Sequence, residues 1–490
     1  MLEFEPVIGL EIHAQLLTQS KIFCSCSTKF GTSPNSNTCP VCLGLPGALP
    51  VLNQESVAMA AKAGLALGCR INQNSLFSRK NYFYPDLPKG YQISQYDLPL
   101  AEQGEIEILT GERQKTGRIG NYHKKTFGIT RVHLEEDAGK SIHFSGGNTH
   151  VDLNRTGVPL IEIVSEPDLR SSQEAYDYLS YLHRVLLYLG ICDGNMEEGS
   201  IRCDANISVR PKGSQELGTK TEIKNLNSFR FLQKALEFEI KRHVQMLRNK
   251  EEIRQETRLW DEEKQKTVVM RTKEEAHDYR YFAEPDLLTV MLSQERVDEL
   301  KAEIPELPDE CRERCIDQYS LSQDDALLLT QNRSLVDYFE RAVEAYKQPK
   351  AIFNWITGDL TRFLKRDNRD ITNCPVKPGQ LAELVQIVDD GKISGKMAKQ
   401  VFEELYATGE DPGSIIAKQG LRQISNEDEL QSIVDRIIQS NPEKVKAYQA
   451  GKSGLLGFFM GLVMTETHGQ ANPNIINEMI KSKLLQNNEK

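Results

Sequence analysis

Asn195-Met-Glu-Glu-Gly-Ser-Ile-Arg-Cys-Asp-Ala-Asn-Ile-Ser-Val-Arg210 reads as a strand with one apolar face and one chemically loaded face. The period of two that strands impose puts Ile201, Cys203, Ala205, Ile207 and Val209 on one side. Arg202, Asp204, Asn206, Ser208 and Arg210 fall on the other, and Glu197 and Glu198 lead in through Gly199. A merely solvated sheet face usually carries Lys, Thr and Glu. This row instead mixes carboxylate, amide and guanidinium groups, a set suited to a hydrated cation and phosphate oxygens.

The pattern recurs. Val7-Ile-Gly-Leu-Glu-Ile-His-Ala-Gln-Leu16 alternates with Glu11, His13 and Gln15 on its polar side, so Glu11 and His13 project the same way about 7 Å apart. A metal bridging them and a solvated edge strand are both open readings of that strand alone. Ile129-Thr-Arg-Val-His-Leu-Glu-Glu-Asp137 is a third strand, with Arg131, His133 and Glu135 on one side and Glu136 and Asp137 crowding its end. Asp152 to Asp168 supplies a fourth, whose Glu162 faces away from Ile161 and Ile163. Thr219 to Ser228 adds Lys220, Glu222 and Lys224 on one face. One such strand is easily a coincidence; four or five are hard to explain as solvated surface.

Between these strands the apolar spacing turns helical from Glu55 to Leu67, from the N-cap Ser171 to Leu189, and from Ser228 to Asn249. Arg79 to Tyr96 places aromatics among Arg79, Lys80 and Lys89 in a Pro- and Gly-broken loop, which either stacks a base or grips phosphates, or only pins itself. Cys24-Ser-Cys26 and Cys39-Pro-Val-Cys42 are paired knuckles of the kind that build a tetrahedral thiolate zinc site; the alternative is four free thiols. Four thiolates would leave no open position, so such a zinc is structural. After Leu292 short amphipathic helices take over, with breaks at Ile304-Pro-Glu-Leu-Pro308 and Gly409-Glu-Asp-Pro-Gly413.

At 490 residues the chain is too long for one ordinary core. No apolar run approaches the roughly 20 residues of a membrane span, and Met1-Leu-Glu-Phe-Glu-Pro6 lacks a signal or transit layout, so a cytoplasmic protein is expected. A formal charge of −10 argues against bulk-charge nucleic-acid binding but leaves room for a local basic patch. Two phosphate-loop lookalikes fail: Gly451-Lys452-Ser453 has Lys446 where the first glycine belongs, and Gly391 to Lys396 is one residue short and followed by Met397. Any ATP must therefore be held through metal on the carboxylate-lined sheet.

Gly9-Leu-Glu-Ile-His13, Asn37 to Gly47, His133-Leu-Glu-Glu-Asp-Ala-Gly139, Leu153 to Glu162 and Asn195 to Asp204 resemble the signature blocks of the B subunit family of aspartyl/glutamyl-tRNA amidotransferases. Leu456 to Met464 and Gly469-Gln-Ala-Asn-Pro473 resemble the family's tail. The resemblance implies an α+β architecture in three parts: a glutamine-synthetase-like antiparallel-sheet cradle (1–294), an all-α helical domain (295–409) and a small all-α tRNA-binding tail (410–490). It implies an ATP-dependent carbon–nitrogen ligase that phosphorylates the side-chain carboxylate of Glu-tRNA(Gln) or Asp-tRNA(Asn). Ammonia would come from a partner amidase/glutaminase subunit in a heterotrimer completed by a small linker subunit, with no membrane involved.

Carried over residue by residue, Glu11, His13 and Asp204 are expected as catalytic magnesium ligands, with Glu135 or Glu136 and Glu198 as further ligands. Arg202, Arg210 and Lys224 are expected at the ATP phosphates, by charge and face alone. Cys24, Cys26, Cys39 and Cys42 match the family's zinc cysteines. The rival from another class is a non-catalytic zinc-containing tRNA-binding scaffold of the same complex.

Overall fold

A computed structural model describes residues 3–113, 119–144, 146–272, 279–421, 427–467 and 470–486, so Gly469 of the tail block lies outside the described residues. The chain divides into two compact units, Met1–Cys311 and Arg312–Lys490.

The first unit is built on one nine-stranded sheet. Its strands are β1 (Phe4–Gln15), β2 (Arg70–Ile71), β5 (Ala101–Arg113), β6 (Ile119–Glu136), β7 (Pro159–Ser165), β8 (Ile201–Pro211), β9 (Thr221–Lys224), β10 (Glu256–Asp261) and β11 (Lys266–Thr272). Two further strands, β3 (Phe77–Asn81) and β4 (Tyr91–Gln95), pair with each other in a small separate sheet. The order across the large sheet is β11-β10-β9-β8-β1-β7-β6-β5-β2. Every pairing is antiparallel except β9 with β10. The expected antiparallel sheet is thus present, and β1 lies at its centre between β7 and β8.

The alternation read from the sequence sorts the two faces. Ile8, Leu10 and Ile12 of β1, Val132 and Leu134 of β6, Ile161 and Ile163 of β7, and Cys203, Ala205 and Ile207 of β8 are all buried in one core. Helices α1 (Gln54–Ala66), α2 (Ser172–Tyr188) and α3 (Phe229–Arg248) cover that face with Ala60, Ala61, Tyr178, Leu182, Val185, Leu232 and Leu236. Each buried aliphatic side chain contributes about 2 kcal/mol. The helix signals act locally: Ser171 accepts from the Glu174 N–H, Ser228 from the Phe231 N–H, and Gly190 ends α2 at φ 66°. Gly64 is required on α1 because a Cβ there would come within 2.8 Å of the Ala101 Cβ on β5.

The second unit is helical. Val336, Phe339 and Ala342 are buried along Arg333–Ala345, and Gly409 at φ 72° closes the helix Gly395–Thr408. Past residue 427, Leu430, Val434, Phe459, Val463, Ile476 and Ile480 form a core of their own. Among the described residues no helix is long and apolar enough to cross a membrane.

Candidate functional site

Register builds the site on the sheet face opposite the helices. In β1 and β8, Glu11 stands opposite Asp204 and His13 opposite Arg202. On the other flank His13 stands opposite Glu162 of β7, and Glu162 opposite His133 of β6. Arg202, His13, Glu162 and His133 therefore form one row across four strands. His13 Nε2 lies 3.2 Å from Glu162 Oε2 and 3.7 Å from Glu135 Oε1. His133 Nε2 lies 3.6 Å from Glu162 and 3.8 Å from Glu135. His13, Glu135 and Glu162 can each present one ligand atom with all three within 4.8 Å of one another.

The electrostatics are those of a compact ionic cluster. Burial alone would lower His13, but the hydrogen bond and charge of Glu162, with the charge of Glu135, raise it to about 9. Burial pushes Glu162 up, yet His133, His13 and Lys80 hold it well below the usual carboxylate range. Glu135 is lowered too: burial opposes this, and the hydrogen bond of His133 and the charge of His13 outweigh it. Glu11 behaves oppositely. Burial, then the charges of Glu162, Glu222 and Asp204, raise it, while the Asn206 side-chain amide donates to its Oε1 at 2.9 Å. The buried Oδ1 of the same Asn206 has no hydrogen-bond partner among the described residues.

Cations rim this acidic floor. Lys224 Nζ lies 2.7 Å from Asp204 Oδ2 and 3.4 Å from Glu222. Arg202 donates to Asp137 Oδ1 at 3.0 Å, and Gln15 to Asp137 Oδ2 at 2.7 Å. Lys80, from β3, is raised despite its burial by Tyr281, Glu135 and Glu162. A cleft of about 410 Å³ opens among His13, Lys80, Glu135, Arg202, Asp204 and Lys224. Two carboxylates and an imidazole suit a divalent cation, and the flanking lysines and arginine suit an anion beside it. Ligation needs the neutral imidazole, so a cation competes with the proton on His13.

Not every expected residue reaches the cleft. Glu136 sits at the opposite parity from Glu135, aligned with Val132 and Leu134, where it accepts from the Ile93 N–H at 2.8 Å and pairs with Lys89. The strand runs through Glu136, so its alternation extends into the Glu-Glu pair and selects Glu135. Glu198 is exposed in the turn before β8. Arg210 lies six residues along β8 from Asp204, about 20 Å by strand rise, and is paired with Glu5 at 2.7 Å. Conversely, the structure brings Lys80 and Asp137 to the cleft and sets Glu162 against His13 and Asn206 against Glu11; by sequence Lys80 belonged only to a loop able to grip phosphates and Asn206 only to the loaded row of its strand. Parity marked Glu162 and Asn206 as polar-side residues; nothing local marked β7 as the neighbour of β1.

The cysteines form a second cluster. Cys24, Cys26, Cys39 and Cys42 can place their sulfurs within 4.8 Å of one another. Cys42 Sγ lies 3.6 Å from Cys24 Sγ and 3.8 Å from Cys39 Sγ. A zinc tetrahedron with bonds of about 2.3 Å has sulfur–sulfur edges of about 3.8 Å, so the set fits that metal. The Cys42 thiol is brought down to about 4 by the hydrogen bond from Cys24, against burial and with help from Lys21.

The family described as the GatB/GatE catalytic domain matches residues 6–298, and the GatB domain matches residues 337–484. A protein of Thermodesulfovibrio yellowstonii is 53% identical over 479 residues, covering 98% of this chain and 99% of its own. One of Carboxydothermus hydrogenoformans is 53% identical over 490 residues, 99% of each chain, and one of Persephonella marina 51% identical over 484 residues, 99% of this chain and all of its own. All three are named as the B subunit of an aspartyl/glutamyl-tRNA(Asn/Gln) amidotransferase, one part of a multisubunit enzyme. Over this length and identity, the chain belongs to the B subunit family of the aspartyl/glutamyl-tRNA(Asn/Gln) amidotransferases.

Proposed function

We propose that this chain uses ATP to phosphorylate the side-chain carboxylate of Glu-tRNA(Gln), Asp-tRNA(Asn) or both, and then amidates it with ammonia delivered by a partner amidase/glutaminase subunit. The complex is completed by a small linker subunit. The observation that carries the reading is the cluster of His13, Glu135 and Glu162 with cationic side chains on its rim. A carboxylate is a poor electrophile at neutral pH, so its oxygen must become a leaving group before an amine can displace it. Acyl phosphate formation meets that need and demands groups that neutralise phosphate oxygens as charge shifts.

His13, Glu135 and Glu162 would hold a magnesium ion, and Glu11 and Asp204 are the adjoining oxygen donors on the same face. Bound there, magnesium supplies charge neutralisation for the phosphates. Arg202 and Lys224 orient anionic oxygens at the rim, and Lys80 steers the ionised substrate carboxylate toward the floor. Asp137 positions the Arg202 guanidinium, and Asn206 fixes one oxygen of Glu11. The four cysteines hold a structural zinc in the cradle, 1–294, followed by the helical domain, 295–409. The tail, 410–490, docks the tRNA body.

The test uses the assembled complex with misacylated tRNA. Asp204→Asn and Glu11→Gln abolish ATP-dependent acyl phosphate formation and leave tRNA binding nearly intact. Full activity in both variants would overturn the assignment and leave the scaffold reading in its place.

A further inference from the structure

Lys21 is fully buried, at 0% exposure, and lysine is almost never so deep without an anionic partner. Its Nζ has two polar neighbours, Cys42 Sγ at 3.4 Å and the Leu153 carbonyl at 3.3 Å. Among the described residues no carboxylate forms an ion pair with it, and Cys42 is itself buried. A fully buried ammonium with no anion beside it costs several kcal/mol. A thiolate removes that cost, and a zinc ion keeps the thiolate in place.

We propose that Lys21 is the built-in counter-cation of a zinc tetrathiolate in the knuckle, donating an N–H···S hydrogen bond to Cys42 and thereby quenching the reactivity of that one sulfur. Four thiolates around Zn²⁺ carry a net charge of about −2, and a single buried ammonium halves it. The same amine holds the Leu153 carbonyl, and this segment is sewn to the knuckle elsewhere. Asn35 accepts from the Leu153 N–H at 2.8 Å and donates to Asp152 at 3.0 Å, and the Asn37 N–H donates to Asn154 at 2.8 Å. The Ile22 N–H donates to the Gly157 carbonyl at 2.9 Å, two residues before β7 begins. The knuckle, Lys21 and the lead-in to the Glu162 strand thus form one hydrogen-bonded unit.

This inference goes beyond the ligase reading and rests only on zinc occupancy of the knuckle. The experiment is iodoacetamide alkylation of the full zinc-loaded chain, with each cysteine followed by peptide mass spectrometry. In the wild-type chain Cys42 reacts last. In Lys21→Met the rate at Cys42 rises about tenfold while that at Cys26 changes less than about twofold, because only one sulfur loses its donor. A uniform rise at all four cysteines, or no change at Cys42, overturns the proposal, as does a wild-type chain that takes up no zinc. A measurement on the wild-type chain needs no variant to fold. Acetic anhydride leaves Lys21 unmodified with zinc bound and modifies it once zinc is chelated under conditions that keep the far-ultraviolet spectrum. Continued protection of Lys21 in that stripped chain contradicts the ion pair. Neither failure touches the ligase reading, which does not depend on Lys21.

Discussion

His13, Glu135 and Glu162 come from three neighbouring strands, whereas Cys24, Cys26, Cys39 and Cys42 come from two loops; both sets bring their ligand atoms within 4.8 Å of one another. The strand set is fixed by register, has His13 and Glu135 on the wall of a cleft of about 410 Å³, and offers three hard or borderline donors, fewer than a divalent cation takes up. The loop set offers four soft donors, which saturate a tetrahedral ion. An open site can share its ion with a substrate. A closed one can only staple the chain. Position in the fold follows: the open set sits mid-sheet, where a slip of one residue would turn every side chain to the other face, so the core itself guards its geometry.

The sharpest way to break this comparison is Glu162→Gln. The account predicts a loss of amidation of at least about a thousandfold in the assembled complex with little change in melting temperature. Near-normal activity would remove the sheet cluster from the chemistry. The matching change in the loops is Cys24→Ser combined with Cys42→Ser. It is expected to cost about 3 kcal/mol or more in stability, read by denaturant unfolding, with activity falling only as the folded fraction falls. A specific kinetic defect at full folding would mean that the knuckle is not merely structural.

Another buried carboxylate serves as a control satisfied by protein alone. Glu239 of α3 lies 2.7 Å from Arg242 Nη2, 3.2 Å from Arg258 Nε and 3.4 Å from His243. Burial raises it, and the hydrogen bonds of His243, Arg242 and Thr267 more than compensate, leaving it at about 2. A folded-state value below the ordinary 4.5 means that its contribution is full above about pH 4.5 and fades as pH falls toward 2. Glu239→Gln should therefore cost about 3 kcal/mol at pH 7 and less at pH 3, as measured by urea unfolding at both. An equal cost at both would refute the ionic account. The smallest effect is expected at Arg210, whose Glu5 pair is remote from the cleft: Arg210→Ala should leave amidation within about twofold and the KM for ATP unchanged. A large rise in that KM would restore Arg210 to the phosphate site.

Much of this was legible in the sequence because much of it is local. The cap at Ser171, the helix start at Ser228 and the alternation of β1, β6, β7 and β8 depend on residues a few positions apart, and the structure reproduces them. The partial failures are non-local. Glu162 had a facing but no neighbours until β7 was found between β1 and β6. Lys80 arrives from a different small sheet. Arg210 shares the face of Asp204 yet stands too far along the strand, a distinction that parity cannot make. Glu198 belongs to a turn, where alternation says nothing about direction. The knuckle was readable as spacing, but the buried lysine beneath it was not.

The central claim is that the sheet cluster activates a carboxylate. The most direct test is to give the assembled complex γ-labelled ATP and Glu-tRNA(Gln) without glutamine or ammonia, and to follow transfer of label to the glutamyl group. The account predicts labelled acyl phosphate with the wild-type chain and none with Glu162→Gln at equal tRNA occupancy. Labelling by Glu162→Gln at the wild-type rate would contradict it.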